Sequence, residues 1–174
     1  MSRRPPTRDP VRLRPRRPVG RLATVVVLVA VLAAACTSGR GPAVAQEAPP
    51  LAGTQLGGER FDLQQDRGHW VIVAFQASTC APCTEELPIM VDFASAHPEV
   101  RLVSVGLAET PEDFSAFLAP FAITWPAVPD RDGTISEGWK VDSLPVTVMV
   151  DPEGKLRQRW TGVVDQNQLA AALT

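Results

Sequence analysis

Trp70-Val71-Ile72-Val73-Ala74-Phe75-Gln76-Ala77-Ser78-Thr79-Cys80-Ala81-Pro82-Cys83 is the stretch on which the fold turns. Its first six residues are a continuous apolar run bounded by Gly68 and polar side chains, which reads as a strand buried on both faces. A helix is expected to start at Cys80: Pro82 suits a first turn, and Glu85 and Glu86 complement the positive end of the helix dipole. Pro88 falls inside the helical pattern, which runs on to Ala96, so a kink is expected there. A helix N-terminus offers free N–H groups and partial positive charge, and both stabilise a thiolate at Cys80. Cys83, one turn later, faces inward and is close enough for a disulfide. One thiol can then attack a partner and the other resolve the mixed disulfide.

Two blander readings of the cysteine pair are weaker. Half of a zinc site would normally need a full set of four ligands, and only Cys36, His69 and His97 remain in the chain. A structural disulfide across so short a loop would stabilise little.

Outward from this stretch, Arg60–Leu63 and Val100–Val105 read as strands. Pro111–Phe121 reads as a helix capped by Thr110, with Phe114, Phe117, Leu118 and Phe121 on one face. Ile123–Pro129 is extended, and Asp130-Arg131-Asp132-Gly133 is a turn before a short helix around Ser136–Trp139. Val146–Val150 and Lys155–Thr161 form a hairpin across Asp151-Pro152-Glu153-Gly154, and Gln166–Leu173 closes the chain as a helix. This order predicts an α/β fold with a mixed sheet covered on both faces.

The N-terminal segment reads as an address. Residues 1–35 carry eight arginines and a single acid, Asp9, leaving nine basic and eighteen acidic side chains in the remainder. A body this acidic is a poor nucleic-acid binder, because phosphate neutralisation needs clustered Lys and Arg. The apolar run Leu22–Ala35, interrupted only by Thr24, has the length of a signal-peptide core and is short for a membrane span. Its end, Leu32-Ala33-Ala34-Ala35-Cys36, resembles a bacterial lipoprotein signal, which implies lipidation of Cys36. The alternatives are an ordinary signal peptide cut elsewhere and an uncleaved anchor. Pro18 and Gly20 behind Arg16-Arg17 favour general secretion over twin-arginine export. The expected organisation is a signal segment over 1–36, a flexible tether over 37–50 and a folded domain over 51–174.

Val73–Pro88, Gly138-Trp139-Lys140-Val141, Leu144-Pro145-Val146-Thr147 and Val150–Lys155 together resemble the TlpA/ResA group of extracytoplasmic, thioredoxin-like thiol–disulfide oxidoreductases, over nearly all of 51–174. The resemblance implies a thioredoxin fold with an extra helix–strand insertion over 106–139. It implies that Cys80 and Cys83 are the redox pair and that Pro145 is a cis-proline facing them. It also places a carboxylate near the site at Glu86, able to exchange a proton with Cys83; the alternative is a solvated helix glutamate like Glu85. Gln76 and Thr79 stand where the group often has tryptophan, so a more polar surface around Cys80 is expected. Ala74 replaces the buried acid of thioredoxin.

The implied activity is reduction of disulfides in exported proteins such as apocytochrome c, with a membrane electron donor for recycling, a lipid anchor to the membrane and no cofactor. The alternatives are a disulfide-forming oxidase and, less favoured, a metal carrier, which would want a histidine or methionine between Ala74 and Pro88. A peroxidase is disfavoured by Val73 and Ala77, which replace the proline and threonine expected ahead of the cysteine.

Overall fold

The computed structural model describes residues 46–173. The expected signal segment, Cys36 and most of the tether lie outside the described residues. The tether's last residues are held to the domain: Ala48 N donates to Gly154 O and Leu156 N to Gln46 O, and the Trp139 indole donates to Pro50 O.

A five-stranded mixed sheet runs in the order β5 (Ala127–Asp130), β4 (Arg101–Leu107), β3 (Val71–Gln76), β6 (Val146–Val150), β7 (Leu156–Thr161). β3, β4 and β5 are parallel, while β6 pairs antiparallel with both β3 and β7. A short hairpin of β1 (Ala52–Thr54) and β2 (Arg60–Asp62) stands outside this sheet. β1 has no apolar periodicity to announce it, and Leu63 leaves the strand for a 3-10 turn over Leu63–Asp66. All of β3 is buried, as its unbroken apolar run requires of a central strand.

Strand alternation divides the core. Val71, Val73 and Phe75 join Val103, Val105, Val146 and Val148 on one face, where Trp139 packs on Phe75 at a centroid distance of 5.5 Å. Ile72 and Ala74 face the other way, toward Met90 and Phe93 of α1 (Ala81–Ala96) and Leu169 of α4 (Gln166–Ala171). Within 106–139 lie α2 (Pro111–Leu118), a 3-10 turn, β5 and the short α3 (Thr134–Gly138). Thr110 caps α2 by accepting from Asp113 N. The helix α1 passes through Pro88 as one element. Its first turn holds no acid: with Cys80 as the cap, Glu85 and Glu86 fall one turn too late to complement the dipole, whose effect fades beyond that turn. Among the described residues no helix is long and apolar enough to cross a membrane.

Candidate active site

β3 delivers the chain to the end of the sheet at Gln76, and four residues later Cys80 caps α1. Cys80 N donates to Ala77 O, closing the turn, and Cys83 N donates to Cys80 Sγ at 3.2 Å. The two sulfurs are joined as a disulfide with Cα atoms 5.3 Å apart. Cys80 is partly exposed beside exposed Ser78, Thr79, Ala81 and Pro82, whereas Cys83 is fully buried. An incoming group therefore meets the sulfur of Cys80 and not that of Cys83.

The Leu144–Pro145 bond is cis. Phe75 pairs with Val146, so Pro145 lies one residue beyond that pair, at the end of the sheet from which the Cys80 loop leaves. It is buried, and its carbonyl accepts from Gly162 N at 2.9 Å.

Glu86 is fully buried, which removes the solvated-glutamate reading. It sits three residues past Cys83, on the same inward face of α1. Its Oε1 accepts from the Thr147 hydroxyl and from Val164 N, each at 3.2 Å. Burial pushes its pKa up from 4.5 to about 7, against the smaller lowering effects of Val164, Thr147 and Gln76. A carboxyl in this range can both take and return a proton near neutral pH. It occupies the helix, where thioredoxin's acid would have stood at Ala74 on the strand.

Gln76 corrects the expectation of a more polar surface. Its side chain is fully buried, so the polarity it brings lies inside the protein, and only Thr79 of the two replaced positions is exposed. The reason is that Gln76 is the last residue of a strand covered on both faces, so its side chain is buried whichever face it takes.

Glu109 carries no signal in the sequence. It is buried and accepts from Ser78 N at 2.6 Å, pinning the loop that carries Cys80. Its neighbour Ala108 adopts φ +58°, the left-handed turn that aims it there. No local pattern marks this acid, since it follows β4 like any loop residue. Thr147 lies in the stretch that carries the family resemblance, but nothing local marks its hydroxyl as a partner for Glu86. Among the described residues no three His, Cys, Asp or Glu side chains could hold a metal.

A thioredoxin fold with a dithiol/disulfide pair at a helix N-terminus defines the class: a thiol–disulfide oxidoreductase. The chain belongs to the AhpC/TSA family, which it matches over residues 44–159. ResA of Geobacillus kaustophilus (strain HTA426), a thiol-disulfide oxidoreductase, is 29% identical over 129 residues, covering 73% of this chain and 74% of that one. ResA of Bacillus subtilis (strain 168) is 28% identical over 71% of this chain and 70% of its own. The crystal structure of StoA from Bacillus subtilis superposes with a TM-score of 0.63 at 25% identity, over 74% of this chain and 99% of StoA.

Proposed function

We propose that this protein is a membrane-tethered, extracytoplasmic oxidoreductase that reduces disulfides of exported proteins, apocytochrome c among them. The observation that carries the reading is the division of labour in the pair: Cys80 partly exposed at the helix start, Cys83 buried behind it. In the reduced enzyme the Cys80 thiolate attacks a substrate disulfide, forming a mixed disulfide and releasing one substrate thiolate. Cys83 then gives its proton to the Glu86 carboxylate and attacks Cys80 Sγ. The Cys80–Cys83 bond forms, and the second substrate sulfur leaves as a thiolate. Two electrons pass from the enzyme dithiol to the substrate, and the departing thiolates take up protons from water and Glu86. A membrane-bound thiol donor resets the pair by the reverse exchange.

Reduction is favoured over oxidation because Ala81-Pro82 places no donor side chain between the cysteines and Glu85 adds nearby negative charge. Strong oxidants owe their potential to a deeply stabilised thiolate. The tether rests on the apolar core Leu22–Ala35 ending at Cys36, and the relatives named as the thiol-disulfide oxidoreductase ResA support the exchange chemistry. Insulin disulfide reduction by the full chain tests the reading: activity is expected in the wild type and none in Cys80→Ser. Undiminished activity in Cys80→Ser would refute it.

A further inference from the structure

Two buried polar side chains on the α1 face of the sheet have atoms without a well-aligned hydrogen bond, although the Gln76 amide acts on the Glu86 carboxyl and lowers its pKa. They are Gln76, at both amide atoms, and Glu86, at Oε2. A buried polar atom without a partner is costly, so each needs an explanation. Strand alternation puts Gln76 on the same face as Ala74, whose cross-strand partner Thr147 donates to Glu86. On the opposite flank Gln76 pairs with Gly106, whose open face is filled by the Phe114 ring, 2.8 Å from where a Cβ would stand. The polar atom nearest in register on that strand, the Ser104 hydroxyl opposite Ala74, is already engaged by the Trp125 indole at 2.9 Å. Oε1 of Glu86 is already held by two donors, Thr147 and Val164. The titrating proton therefore belongs on Oε2.

We propose that Gln76 is a positioning residue for proton exchange at Cys83: its buried amide serves Glu86 Oε2, donating N–H when that oxygen is bare and accepting through Oε1 when it carries the proton. A primary amide is the neutral side chain that offers a donor and an acceptor a fork apart, so a small rotation satisfies either protonation state, and the bond to the ionised oxygen is the stronger of the two, which lowers the pKa. The inference rests on the proposed exchange role of Glu86. The groups acting on the carboxyl are all uncharged: Val164 N–H, the Thr147 hydroxyl and the Gln76 amide. β3, β6 and α4 carry no ionisable side chain. Glu85 on α1 is exposed, as is Asp165, which caps α4, and Cys83, within a turn, is held in the disulfide and does not titrate.

The test is a titration of the Glu86 carboxyl in the oxidised full chain, by carboxyl-carbon NMR assigned with Glu86→Gln. Gln76→Met and Gln76→Leu keep bulk and remove the amide. In either variant that retains the wild-type near-ultraviolet circular dichroism, the midpoint should move to higher pH. The rate of mixed-disulfide resolution at pH 7 should fall several-fold, and in a Glu86→Gln background the same substitutions should not slow it further. In the wild type the Gln76 side-chain amide resonances should shift with the Glu86 midpoint, a readout that needs no variant. An unmoved midpoint, or Gln76 amide signals indifferent to pH, would overturn the proposal. The midpoint and the amide shifts need no turnover, so a wild type that exchanges no disulfides removes the oxidoreductase reading, whereas normal exchange with an unmoved midpoint removes the Gln76 role alone.

Discussion

The Thr147 hydroxyl on β6 donates to Glu86 Oε1 on α1 at 3.2 Å, across 61 residues of chain. This bond, with that from Val164 N, holds a fully buried carboxyl one turn past Cys83. Burial outweighs both donors, and the pKa settles at about 7.

The first prediction follows from that value. The native carboxyl holds its proton more tightly than the unfolded one, at about 7 against 4.5. Between those values the folded state binds more protons, so stability falls as pH rises. The contribution is fully present below about pH 4.5 and is lost through about pH 7, a change on the order of 3 kcal/mol. Urea unfolding of the oxidised protein across this window should show the slope, and Glu86→Gln should flatten it. An unchanged slope in that variant would assign it to other groups.

Thr147→Val should raise the Glu86 midpoint further, because it removes a donor that favours the carboxylate. It should also cost about 1–2 kcal/mol by leaving a buried acceptor short of a partner. The same carboxyl titration and a denaturant midpoint measure both effects.

Cys83→Ser should trap substrates. With the resolving sulfur gone, the mixed disulfide through Cys80 has no internal route to collapse. Adducts to Cys80 should accumulate on non-reducing gels and vanish in the double variant with Cys80→Ser. Adducts formed through Cys83 in a Cys80→Ser protein would reverse the assigned roles.

The reduction potential should lie nearer thioredoxin's, about −270 mV, than DsbA's, about −120 mV. Equilibration with dithiothreitol and glutathione buffers measures it. A value at the upper end would turn the same residues into a disulfide-forming oxidase.

Metabolic labelling with a fatty acid should mark the wild type and leave Cys36→Ser unmarked. Equal labelling of the two would end the lipid-anchor reading and leave the exchange chemistry untouched.

What the sequence by itself determined is local in the chain. The apolar run Trp70–Phe75, the turn after it and the Cys80–Cys83 spacing are contiguous, and period and capping chemistry act over a few residues. That was enough for the central strand, the helix it feeds and the redox pair, and the family resemblance added the proline after Leu144. The tertiary structure alone decided the environment of those sulfurs. Glu86 reads like Glu85 until β6 and the segment before α4 close over it, bringing donors from 61 and 78 residues away. Gln76 reads as a surface polar residue until the second layer covers its end of the strand, and Glu109 reaches Ser78 across 31 residues through a left-handed turn at Ala108. Proton affinity depends on burial and on which dipoles face the group, and both are properties of packing between distant segments. No local pattern along the chain encodes them.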